Sequence, residues 1–182
     1  AVNTRNALLD LLTLIDNKLK SDVIVVSLGG TALTILGLKK SSMDIDFIIP
    51  DGLNYDEFYK VSDESVKQLK LKPGELPPFT DFDMGLMKIT DYFRKSEEFR
   101  ELALRHIRFY LMNIYDIILS KNFRGLLKDT KDIKVILENK EISKVALAAR
   151  YTELLRQQDA DLRALFTKKF DDLIKDVGHL LK

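Results

Sequence analysis

A chain of 182 residues, 46% hydrophobic and 31% charged, can bury a core of its own and fits one domain with a small helical appendage. Without cysteine it has no disulfide, no zinc–thiolate site and no thiol nucleophile. The net charge of +1 divides into −4 over residues 1–93 and +5 over residues 94–182. An acidic half suits cations and a basic half suits phosphates, although ordinary variation in a charged surface accounts for the split equally well.

In chain order, apolar residues at 8, 11, 12, 15 and 19 predict a helix over 5–20. DVIVVSLGG predicts a buried strand, Val23 to Leu28, because a short β-branched run stopped by glycines suits a sheet interior. Thr31 to Leu38 reads as a short helix, KKSS as a loop, and Met43 to Ile49 as a second strand closed by Pro50-Asp51-Gly52. A helix over 54–71 takes Asn54 as its N-cap. KPGELPP, with three of the four prolines, is a surface loop. A third strand is expected over 79–89, a helix over 94–104 and a strand over 106–111. Asn113 caps a helix to Lys121 with Asp116 completing a capping box; Gly125 breaks it, and helix resumes over 126–139. From Ile142 onward the pattern is helical, and its apolar stripe from Leu162 to Leu180 suits packing or a homodimer surface. Residues 1–140 are expected to form the main domain and 141–182 a helical extension packed on it or forming an interface. No run is apolar enough to span a bilayer and the first residues show no signal-peptide pattern, so the cytoplasm is the expected compartment.

The chemistry concentrates in LGGTALTILGLKKSSMDIDF, residues 28–47. Residues two apart on a strand share a face, so Asp44 and Asp46 are expected side by side, with Met43, Ile45 and Phe47 turned into the core. Like charges this close are comfortable only with a cation or proton between them. Two hard oxygen donors suit Mg2+ (or Mn2+), with phosphates and water completing its shell. Gly29 and Gly30 let backbone amides approach a ligand, and Thr31 opens a helix whose N-terminus attracts anions. Lys39 and Lys40 offer point charges to phosphate. Taken singly these residues have plainer accounts: a solvated acidic face, a strand-to-helix turn, an N-cap and a loop. The spacing of glycines and aspartates favours the ligand reading.

Gly29-Gly30-Thr31 and, after twelve residues, Asp44-Ile45-Asp46 resemble the signature of the polymerase β-like nucleotidyltransferase superfamily. GGTAL, a basic loop and Ser-x-Asp-Ile-Asp further resemble the small prokaryotic branch related to AbiEii-type toxin nucleotidyltransferases. Lys40 and Ser42 stand where that branch often carries Arg-x-Thr. Lys121-Asn-Phe-Arg124-Gly and Lys128-Asp129-Thr-Lys131-Asp132-Ile133 follow the order of a second motif of the branch, although Lys128 and Asp132 also suit an exposed i,i+4 salt bridge. The resemblance implies an α+β minimal nucleotidyltransferase fold, a small mixed sheet flanked by helices, with a helical C-terminal region. It implies transfer of a nucleoside monophosphate from an NTP, such as ATP, to an acceptor hydroxyl on RNA (tRNA, for example) or protein. Asp44, Asp46 and a third carboxylate would be the catalytic and metal-holding residues, with Asp83 preferred to Asp81. Gly29, Gly30, Thr31, Lys40, Ser42, Lys121 and Lys128 would surround the nucleotide. A toxin implies an antitoxin partner, and the net charge of +4 over 105–134 suits RNA phosphates. The competing class is a non-catalytic nucleotide- or partner-binding module that keeps the fold.

Overall fold

The computed structural model describes residues 3–71 and 87–182, which separate into two units: 3–71 with 89–112, and 87–88 with 113–182. In the first unit, β1 (Asn3–Thr4) leads into α1 (Arg5–Lys18). Thr4 Oγ1 accepts from the Ala7 N–H at 3.2 Å as the N-cap. The apolar face predicted for this helix buries Leu8, Leu11, Leu12 and Ile15. β2 (Val23–Ser27), α2 (Gly29–Ile35), β3 (Ser41–Ser42) and β4 (Phe47–Ile48) follow. After them come α3 (Tyr55–Gln68), α4 (Ile89–Lys95), β5 (Glu97–Glu98) and β6 (Ile107–Leu111).

β1 pairs with β3, while the other four strands form a mixed sheet in the order β4-β2-β6-β5. β2 runs parallel to β6, with Val23 opposite Ile107 and Ser27 opposite Leu111, and antiparallel to β4. On β6 the apolar Ile107, Phe109 and Leu111 are buried while Arg108 is exposed, the period-two pattern of a strand with one covered face. Phe47 and Phe99 meet Phe109 edge-on, at 5.5 and 6.0 Å between ring centres. Asp16, buried on α1, accepts from the N–H groups of Arg105, His106 and Ile107 at 2.8, 2.7 and 2.9 Å and so fixes where β6 begins.

Several expectations are corrected. The strand expected over Met43 to Ile49 shrinks to Phe47–Ile48. Ile45 and Phe47 are buried as expected, but Met43 is 60% exposed. Asn54 occupies the N-cap in a left-handed conformation (φ 59) without a side-chain cap bond; its amide donates instead to the Asp22 carbonyl at 2.8 Å. No helix spans 94–104: α4 ends at Lys95, and Glu97–Glu98 pair with Tyr110–Leu111. Phe93 meets Tyr110 edge-on at 5.3 Å and Phe99 meets Phe109, tertiary contacts with β6 that override local helix propensity. The proline-rich loop and the strand expected over 79–89 lie outside the described residues, except that Met87 and Lys88 carry no strand and Ile89 opens α4.

The second unit holds α5 (Ile114–Arg124), α6 (Leu127–Asn139), α7 (Lys144–Leu155) and α8 (Ala160–Val177). Asn113 caps α5 as expected, accepting from the Tyr115 N–H at 2.9 Å. Asp116 joins no capping box. It is fully buried and held by Arg150, Nε at 2.6 Å and Nη2 at 3.1 Å. Gly125 (φ 69) ends α5 in the left-handed region that glycine tolerates. Phe166, Phe170, Leu173 and Val177 of the C-terminal stripe are buried within this unit, where Tyr151 stacks on Phe170 at 3.9 Å. The units divide at Met112–Asn113, so α5 and α6 group with the helices beyond residue 140 that the sequence set apart.

Candidate active site

β2 ends at Ser27, and the chain turns through Leu28, Gly29 and Gly30 directly into α2. Gly29 has φ +48, a left-handed conformation in which a side chain is strained. A Cβ on Gly29 would stand 3.9 Å from Asp46 Oδ2, and one on Gly30 would stand 3.5 Å from Ser42 Oγ and 3.7 Å from Lys39 Nζ. The bare backbone of the turn thus lies beside a carboxylate, a hydroxyl and an ammonium. Of the two loop lysines, Lys39 is the one drawn over the turn, whereas Lys40 is exposed.

Thr31, expected to open the helix, sits inside its first turn, because Leu28 is the N-cap. Its fully buried hydroxyl reaches across to the acidic segment, donating to the Asp44 carbonyl at 3.0 Å and accepting from the Asp46 N–H at 2.9 Å. Ser42 Oγ donates to the same Asp44 carbonyl at 2.6 Å, and the Asp46 carbonyl accepts from the Leu28 N–H at 3.0 Å. From the other side, Asn3 donates to the Met43 carbonyl at 3.4 Å, and β1 pairs Asn3 with Ser42. Ile45 is buried between the aspartates; Asp44 is exposed and Asp46 half-buried. The structure therefore brings Gly29, Gly30, Thr31, Ser42, Asp44 and Asp46 to one turn.

Lys121 and Lys128 belong to the second unit. Lys121 is buried, its Nζ 2.8 Å from Asp132 and 3.4 Å from Asp129. Arg124 grips Asp129 with two hydrogen bonds of 2.8 and 2.6 Å, and the Leu126 N–H adds a third at 3.2 Å. Burial alone would raise the Asp129 carboxyl, but the Arg124 hydrogen bonds, the Lys121 and Arg124 charges and the Leu126 amide outweigh it and hold its pKa below the ordinary value. Asp132 thus meets Lys121, and Lys128 is exposed. The third carboxylate expected at Asp83 or Asp81 lies outside the described residues, among which no three His, Asp or Glu side chains cluster as a metal site.

A family model described as "Nucleotidyltransferase of unknown function (DUF6036)" matches residues 6–177. The chain belongs to this nucleotidyltransferase family. Comparison with curated proteins and with solved structures gave no match. The match spans both units, and the α+β architecture with its small mixed sheet is a minimal nucleotidyltransferase fold. No helix among the described residues is long and apolar enough to cross a membrane. In this nucleotidyltransferase, Asp16 and the bridging hydroxyl of Thr31 are what the sequence left unseen. Asp16 follows Ile15 at the edge of the apolar stripe of α1, the one hint that its carboxylate faces inward.

Proposed function

We propose that this nucleotidyltransferase moves a nucleoside monophosphate from an NTP to an acceptor hydroxyl and releases pyrophosphate, with Mg2+ or Mn2+ held by Asp44 and Asp46 and, outside the described residues, by Asp83. The observation that carries the reading is the tie between the two halves of the motif. The glycine turn and the backbone of the Asp44–Asp46 segment are joined by hydrogen bonds from Leu28 and Thr31, and the Asp46 carboxylate lies 3.9 Å from where a Cβ on Gly29 would stand. The donor set fits a hard divalent ion, and Asp46 Oδ2 faces backbone that carries no Cβ. Such an ion, when bound, neutralises phosphate charge and favours the deprotonated acceptor oxygen. Gly29 and Gly30 leave the turn open to phosphate oxygens, Lys39 adds a charge above it and Lys40 an exposed one beyond. Lys121 and Lys128 enter as nucleotide contacts on sequence order alone. The resemblance to the AbiEii-type branch favours RNA such as tRNA, or a protein, as acceptor and an antitoxin as partner.

The test incubates the full chain with each α-labelled NTP, Mg2+ and bulk tRNA, comparing wild type with Asp44→Ala/Asp46→Ala. Label on RNA or protein in the wild type, absent in the variant, is the expected result. Label that persists in the variant overturns the assignment of the aspartates. No transfer in the wild type, together with thermal stabilisation by nucleotide, replaces the enzyme with a binding module.

A further inference from the structure

We propose that Thr31 is a positioning residue for the aspartate pair, its hydroxyl setting the spacing of Asp44 and Asp46 and tying both to the glycine turn. The inference rests on the reading of those aspartates as divalent-ion ligands. Thr31 Oγ1 closes a bridge around Ile45: it donates to the carbonyl before that residue at 3.0 Å and accepts from the N–H after it at 2.9 Å. One proton and two lone pairs let a single hydroxyl do both, and no aliphatic side chain of the same shape can.

The neighbouring bonds make the bridge a frame. The Asp44 carbonyl takes a second donor from Ser42 at 2.6 Å, which fills both of its lone pairs. The Asp46 carbonyl is held by the Leu28 N–H at 3.0 Å. With these backbone groups committed, the segment meets a cation through its side chains. Leu28 and Thr31 flank Gly29 and Gly30, so the groups that hold the backbone of Asp44 and Asp46 lie on the same turn as the backbone proposed to meet phosphate. Thr31 itself is fully buried, so its influence on a ligand passes through Asp44 and Asp46. Removing hydrogen bonds that orient metal-ligating side chains typically changes metal affinity about 10- to 100-fold, and Thr31 holds the backbone from which the two proposed ligands project.

The test titrates Mn2+ by calorimetry into the full chain without nucleotide, for wild type, Thr31→Ser, Thr31→Val and Asp44→Asn/Asp46→Asn. Thr31→Ser keeps the hydroxyl and is expected to bind within about twofold of wild type, whereas Thr31→Val is expected to weaken binding about 10- to 100-fold with unchanged circular dichroism. Wild-type affinity in Thr31→Val, with binding lost in the aspartate variant, overturns the positioning role and leaves the metal reading standing. A loss in Thr31→Ser as deep as in Thr31→Val also overturns it. Binding absent from the wild type, or unchanged in the aspartate variant, overturns the metal reading itself. Amide hydrogen exchange in the wild type needs no variant to fold: the Asp46 N–H is expected to be protected, and exchange at the rate of an open loop overturns the bridge.

Discussion

Replacing Asp16 by alanine tests whether one buried carboxylate on α1 sets the start of β6 and, through it, the sheet that carries the candidate site. Asp16 Oδ1 accepts from His106 and Ile107 at 2.7 and 2.9 Å, and Oδ2 from Arg105 at 2.8 Å. Each buried donor left without a partner costs about 1–3 kcal/mol. The bond to Ile107 is fully buried, while those to Arg105 and His106 are part-buried and regain some hydration, so the loss should fall near 3–5 kcal/mol. Against a typical total of about 5–15 kcal/mol, that is a large fraction of the stability. Asp16→Asn retains one acceptor oxygen for the His106 and Ile107 pair and turns an amide NH2 toward the Arg105 N–H, so it should cost about 1–3 kcal/mol. Urea denaturation followed by far-UV circular dichroism, with the slopes compared for two-state behaviour, measures both. An alanine variant within about 1 kcal/mol of wild type, or an asparagine variant as damaged as alanine, refutes the reasoning.

Four further outcomes follow from the charge, packing and backbone conformation within each unit. Asp129 has a depressed pKa in the folded chain. The stability it contributes is therefore present above the ordinary carboxylate value of about 3.9 and is lost as pH falls through the folded value. Urea midpoints should drop below about pH 4 in wild type and less steeply in Asp129→Asn. Arg150→Met removes the two-bond guanidinium partner of the fully buried Asp116 and should cost about 3–5 kcal/mol, while adding Asp116→Leu recovers most of it; thermal unfolding of the three chains reads the difference. Gly30→Ala meets nothing closer than 3.5 Å and should keep wild-type stability while weakening nucleotide binding about tenfold, the worth of one or two hydrogen bonds. Gly29→Ala should instead lose about 1–2 kcal/mol to its positive φ; nucleotide-dependent thermal shifts separate the two glycines.

What could be read from the chain alone was whatever rested on one local pattern. Apolar residues at 8, 11, 12 and 15 drew α1 nearly to its ends, and the β-branched run at 23–26 became most of β2, an inner strand of the mixed sheet. Asn113 capped its helix, and Gly125 ended it. The failures share a cause, because each turned on a partner distant in sequence. Glu97–Glu98 became a strand because Tyr110–Leu111 lay beside it. Asp116 left its predicted capping role because Arg150, 34 residues on, took it. At the site, the spacing of glycines and aspartates found the turn, but it held no hint that a helix hydroxyl joins the two halves.

That hydroxyl explains why MDIDFII looked more like a strand than it is. An extended segment with alternating burial normally finds its partners in a neighbouring strand, and the ladder between β4 and β2 begins only at Phe47. Before it, the backbone groups of Asp44 and Asp46 bond to the side chains of Thr31 and Ser42 and to the Leu28 amide. A strand ladder would have fixed the aspartates to the sheet, whereas side-chain bridging fixes them to the glycine turn. Under the proposed function the second arrangement is the more useful one, since it would tie the proposed ion ligands to the backbone proposed to meet the phosphates. The sequence cost of that choice is small: one β-hydroxy residue directly after two glycines and another two residues before the first aspartate.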